Sequence, residues 1–293
     1  MSESISDLQI DTSLTHTKSR VLRLHKQGLQ KPFSELVDVV ATAFGSTPFL
    51  EHSLDKNAAF LNELCTLLHG NGDLPVKFAT QEEYEGDSRP YEQIIFETKK
   101  VPTRPNWHDF FNGLIWSQFP KTKHYFNRQH MAEIELQGNT KRSPIRDRLT
   151  HFDECGIVLF TTQKQVVTQL QDHQWDDLFV KNSANWHQQT LAVIFGHALW
   201  EMLLAPFIGL TAKATVIEIS DNEMLTLHKR QKSAQFYAIC DVLLSEHLES
   251  KQLITTKKPW LPLPLLGIPQ WSPFKQNDSF YSNEKYFMPK NRN

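Results

Sequence analysis

The chain has 293 residues, a net charge of −2, 40% hydrophobic and 22% charged residues, a globular balance with length enough for a sizeable core. No strongly basic balance exists, so a general nucleic-acid binder is not expected. Cys65, Cys155 and Cys240 cannot all pair and form no CxxC, which argues against a secreted disulfide framework and a cysteine zinc site and for a reducing cytoplasm.

Residues 1–31 are polar, lack an apolar signal run and carry a short basic stretch, KSRVLRLHK. They are expected to form a loosely held arm ahead of one globular domain over 32–293. Helices are predicted at 33–44 and 55–69, the second stopped by Gly70-Asn71-Gly72. LPVKFA and EQIIFETKKV read as short strands. Helices follow at 106–119 and 120–136, separated by Pro120, and SPIRDRLTHF reads as a short helix capped by Ser143. GIVLFTT is a predicted strand, then come a helix at 163–171 and a long buried helix at 185–205. AKATVIEIS is a strand, and Asp221 starts a helix running to about 249. The tail from 259 to 293 is rich in proline but also in large apolar residues, so it is expected to wrap the surface as an extended strap rather than hang free. The sum is an α+β chain, majority helical, with helices packed around a few short strands.

LAVIFGHALWEMLLAPFIGL, residues 191–210, has the ~20-residue length of a membrane span. Glu201 near its centre would cost roughly 2.5–3.5 kcal/mol in a bilayer, and Pro206 interrupts it. No membrane insertion is expected.

Three segments carry candidate chemistry. In NWHDFFNGLIWSQF, Asn106 makes a good N-cap, with Asp109 three residues later at the helix start. Trp107, Phe110, Phe111, Leu114, Ile115 and Phe119 form an apolar stripe at helical spacing. His108 and Asn112 flank that stripe one turn apart, either as a site or as partners in a structural hydrogen bond. In RDRLTHFDECG, Asp147, Asp153 and Glu154 place three carboxylates within eight residues, a repulsion that a cation or Arg146 would offset. The bland alternative is a polar turn before the strand, with Gly156 left-handed. In FGHALWE, His197 and Glu201 stand one turn apart on a helix with no polar face. Buried there, they must be paired, neutralised or bound to a metal, although the spacing alone is weak evidence for a metal.

VPTRPNWHDFFNGLIWSQFPKTKHYFN, RDRLTHFDECG, FGHALWEMLLAP and the ending LPLPLLGIPQWSP resemble, in this order, a bacterial family known as domain of unknown function 3025. The resemblance spans roughly residues 30–290. Trp107 and Gln270 depart from the family's usual residues without touching the polar positions. The resemblance implies one family-wide domain and no assigned activity, so it supplies no catalytic residues. Two readings stay open. In one, His108, Asn112, Arg146, Asp153, His197 and Glu201 serve a small enzyme, a hydrolase or metal-assisted acid–base catalyst acting on a small molecule. A divalent metal is then the candidate cofactor, with Arg146 binding an anionic group. In the other, a non-enzymatic binding or assembly protein uses the same polar residues to fix its helices. LHKRQK and the N-terminal basic stretch read as solvated faces rather than a nucleic-acid surface.

Overall fold

The computed structural model describes residues 31–44, 53–70, 74–139, 141–231 and 233–290. The expected N-terminal arm, apart from Lys31, lies outside the described residues.

Helices α1 (Phe33–Phe44) and α2 (Asn57–His69) precede a small parallel pair, β1 (Lys77–Thr80) and β2 (Lys100–Thr103), joined through α3 (Tyr91–Thr98). The strand expected at EQIIFETKKV is therefore a helix followed by a strand. Ile94 and Ile95 bury one helical face, and Lys99, left-handed at φ 57°, closes the helix before β2 begins. Next come α4 (Trp107–Gln118), α5 (Pro120–Gln137) and α6 (Pro144–Cys155). Ser143 caps α6, but the helix runs on to Cys155, so Asp153 and Glu154 sit in its last turn rather than in a loop.

A four-stranded sheet follows: β3 (Gly156–Thr161), β4 (Thr190–Ile194), β5 (Thr211–Glu218) and β6 (Leu261–Pro264), in the order β4-β3-β5-β6. β3 runs antiparallel to β4 and parallel to β5, and β6 is antiparallel to β5. Every residue of β3 is buried, as a central strand covered on both faces requires. The connecting helices are α7 (Gln165–Gln171), α8 (Trp186–Gln189), α9 (His197–Leu203), α10 (Asp221–Arg230) and α11 (Ala234–Ser250), with α12 (Asp278–Tyr281) in the tail. Helix occupies 57% and strand 13%, a majority-helical α+β fold as expected.

Two long helices read from the sequence are broken. The stretch 185–205 contains α8, β4 and α9, because Thr190–Ile194 pairs with β3 along its whole length. No helix among the described residues is long and apolar enough to cross a membrane. The 222–249 helix divides at Gln231, whose φ −46°, ψ 145° leaves the helical region, and Ser220 rather than Asp221 is its cap, in a capping box with Glu223.

The core runs between the sheet and α4–α6. Phe195, just past β4, packs its ring against Phe119, Phe126 and Phe152, at 5.4–5.5 Å between centroids. The tail is more regular than its prolines imply. Leu261–Pro264 forms the edge strand β6, and Leu265 N–H continues the ladder by donating to Leu210 O at 2.9 Å. Trp260 Nε1 donates to Arg148 O at 2.9 Å, and Tyr286 Oη to Leu210 O at 2.7 Å. Leu263, Leu265, Leu266 and Ile268 are fully buried, each worth roughly 1.5–3 kcal/mol. Deleting residues 259–293 is expected to give insoluble or molten protein. A truncated chain that melts cooperatively near the intact one, followed by near-ultraviolet circular dichroism, would contradict this.

Candidate functional site

Three helix segments meet at one half-open corner. α6 feeds directly into β3 through Gly156, and β4 feeds into α9 through Gly196. The two corners touch through backbone: Phe195 N–H and Gly196 N–H both donate to Gly156 O, at 3.0 and 2.8 Å. A Cβ on Gly196 would overlap the Gly156 amide nitrogen and come within 2.5 Å of Glu154 O. Gly156 is not left-handed, at φ −72°; like Gly196, it is needed for closeness rather than for an unusual backbone. This contact sets the last turn of α6, with Asp153 and Glu154, beside His197 at the start of α9.

α4 packs against α9 from the other side. It is buried all round, apart from His108, so burial extends beyond the apolar stripe expected. Asn106 accepts the Asp109 N–H, as the spacing predicted. Asp109 is structural, its carboxylate taking the Arg104 N–H, Nε and Nη2 at 2.7–3.0 Å.

His108 Nε2 and His197 Nε2 lie 3.0 Å apart, and Glu154 Oε2 is 3.5 Å from the latter. Each of these three residues offers a ligand atom within 4.8 Å of those of the other two. Behind them, His108 Nδ1 meets Glu201 Oε2 at 3.0 Å. His197 Nδ1 has no hydrogen bond, and Asp153 Oδ2 lies 3.9 Å from it. Asp153 is gripped by Lys123 Nζ at 2.6 and 2.8 Å, the same ammonium donates to Asn112 Oδ1 at 3.0 Å, and Asn112 Nδ2 donates to Tyr91 Oη at 2.9 Å. Five of the six residues singled out from the sequence thus share one network.

Arg146 does not join it. Its Nη2 donates to Asn139 Oδ1 at 3.1 Å, two turns up α6 from Asp153. Glu201 is not a buried carboxylate either, since its side chain is 44% exposed. Lys123 and Tyr91 were missed. Phe119, Lys123, Phe126 and His130 follow the i, i+4, i+7, i+11 spacing of one buried stripe, so a lysine and a histidine on a core face were the available signal.

The corner is wet on one side and dry on the other. His108 and Glu154 are 34% and 37% exposed at the side chain, His197 only 5%. Burial pushes the His197 imidazole down to about 4, while the hydrogen bond to Glu201 raises His108. Burial raises Glu154; it also pushes Asp153 up, but Lys123 and His197 outweigh it and hold that carboxyl below its usual value. Neighbouring titratable groups driven in opposite directions are a mark of acid–base or metal sites.

A family described as protein of unknown function (DUF3025) matches residues 76–291. The chain belongs to that family. No curated protein and no solved structure matches it. The DUF3025 match includes every residue of the corner described above, whereas α1 and α2 lie before it.

Two outcomes are expected. Gly196→Ala should cost at least about 1–3 kcal/mol by overpacking against backbone that cannot yield, read as a lower urea midpoint; an unchanged midpoint contradicts the glycine contact. In metal-stripped protein, the unfolded state binds a proton to His197 near its ordinary 6.5 and the folded state only near 4. Its stabilising effect is therefore present above pH 6.5 and lost as pH falls toward 4, by about 3 kcal/mol at 1.36 kcal/mol per unit. His197→Gln should flatten that slope, and a variant that keeps the slope would refute the assignment.

Proposed function

We propose that this protein is a metal-dependent hydrolase acting on a small molecule, with His108, His197 and Glu154 holding a divalent ion. The observation that carries the reading is the convergence of two Nε2 atoms and one carboxylate oxygen at 3.0 and 3.5 Å. Ligands at zinc bond lengths of 2.0–2.1 Å stand about 3.3 Å apart in a tetrahedron, which the two edges at His197 bracket; the edge from His108 to Glu154 is wider, within 4.8 Å. Three protein ligands leave one position free, the arrangement of catalytic rather than structural zinc.

The surroundings have the chemistry such a site needs. A ligating histidine usually donates its other N–H to a carboxylate or carbonyl, which fixes tautomer and ring orientation. Glu201 stands in that place for His108, and Asp153 faces the same nitrogen of His197. Lys123, which also donates to Asn112, holds Asp153 in turn, so its negative charge is offset inside the protein. A bound ion would supply a water that is acidic near neutral pH and a Lewis acid for the scissile bond. The exposed edges of His108 and Glu154 leave that free position open to solvent. A net charge of −2 favours a small-molecule substrate over nucleic acid, and the free thiols Cys65, Cys155 and Cys240 fit a reducing cytoplasm.

Elemental analysis of purified protein is expected to find about one divalent metal per chain, lost in His197→Ala and in Glu154→Gln. Glu201→Gln should stay folded and bind the metal about 10–100-fold more weakly, the usual effect of removing an outer partner. Protein that binds neither zinc, manganese nor iron(II) after refolding or dialysis would overturn the proposal.

A further inference from the structure

Arg146 leans into the seam between α5 and α6 at 8% exposure. Among the described residues its side chain makes one hydrogen bond, to the neutral amide of Asn139, and Nε and Nη1 have no partner. Among the described residues it is the one permanently charged buried side chain left in this state. Across the seam, on α5, His130 is 6% exposed and its Nδ1 is also unpartnered. Burial first, then the nearby charges of Arg146 and Lys123 against those of Glu92 and Asp153, keep that imidazole below its ordinary value.

A guanidinium does not deprotonate to escape burial. An unpaired buried N–H is costly, and an unpaired buried charge more so. The carboxylates around the seam have other hydrogen-bond partners. Glu92 accepts from Asn127 Nδ2 at 2.7 Å. Asp153, two turns down the same helix, is held by Lys123. Glu133, one turn beyond His130 and itself buried, accepts from Gln137 Nε2. Among the described residues no carboxylate pairs with Arg146.

We infer that Arg146 and His130 form a binding site for the oxyanion of a small ligand, a carboxylate or a phosphate monoester. Three buried nitrogens from two helices, Arg146 Nε and Nη1 and His130 Nδ1, have no partner, and Arg146 itself stands in the first turn of α6, the end with partial positive charge. The guanidinium fork matches carboxylate and phosphate alike. Every described residue of the turn over it, 136–142, is exposed, which leaves a short route from solvent. Seven residues of α6 separate Arg146 from Asp153, about 10 Å at 1.5 Å per residue. The oxyanion is therefore not the group reacting at the histidines, and the inference stands or falls apart from the hydrolase reading.

The test uses the intact protein and two probes, inorganic phosphate and succinate, added at constant ionic strength balanced with sodium chloride. Wild type is expected to gain several degrees in Tm with at least one probe. Arg146→Gln should lose the response, and Arg146→Lys, which keeps the charge but not the fork, should need at least tenfold more probe for half the shift. His108→Ala, which alters only the histidine corner, should keep the full response. A response to phosphate alone assigns a phosphate-bearing ligand, and one to succinate assigns a carboxylate. No response in wild type, a lysine variant equal to wild type, or loss of the response in His108→Ala would each overturn the inference.

Discussion

The site depends on the backbone contact between Gly156 and Gly196. Two chain reversals, helix into strand and strand into helix, are pressed together until one carbonyl serves two amides. No side chain fits between them. Because α6 and α9 each begin or end at that contact, the positions of Asp153, Glu154 and His197 follow from main-chain geometry rather than from flexible side chains. Sites held this way keep their alignment when nothing is bound, which is what preorganised chemistry requires.

The second constraint is the placement of charge behind that corner. Lys123 is nearly fully buried, an expensive position unless paired, and it is paired with Asp153 while also bonding Asn112. The pair does more than satisfy itself. It presents His197 with a carboxylate that stays ionised, although burial alone would favour the protonated acid. His108, on the wet side, takes its own partner from Glu201. The two imidazoles, which point Nε2 at each other and Nδ1 at a carboxylate, thus differ in exposure and in the direction of their pKa shifts.

Much of the architecture was legible in the chain. Asn106 and Ser143 announced two helix starts, Pro120 separated α4 from α5, and the run GIVLFTT read as a strand because its residues are apolar without helical spacing. What failed shares a cause. Thr190–Ile194 and Gln93–Thr98 are short apolar runs whose identity is decided by neighbours far along the chain, β3 in one case and the interior beneath α3 in the other. Local pattern cannot separate strand from helix there. The site was half legible for the same reason. His108, His197 and Glu201 stood out as polar groups on apolar helices. Lys123 did not, because a lysine amid PKTKHYFNRQH looks like surface until the wheel is drawn. Arg146 was read as belonging with the histidines from its nearness in sequence to Asp153, whereas seven residues of helix hold it away.

The tail's proline spacing has a bearing on how the sheet meets other molecules. Leu265 N–H points toward β5, so along β6 the odd-numbered amides face inward and the outward positions fall to Pro262 and Pro264. Neither has an N–H. The outer rim of the sheet thus offers carbonyls but no donors at those two places, and a foreign strand laid against it would find half a ladder. A segment whose prolines look like an obstacle to regular structure thereby works as a terminator, letting the sheet end at four strands instead of inviting a fifth from another chain.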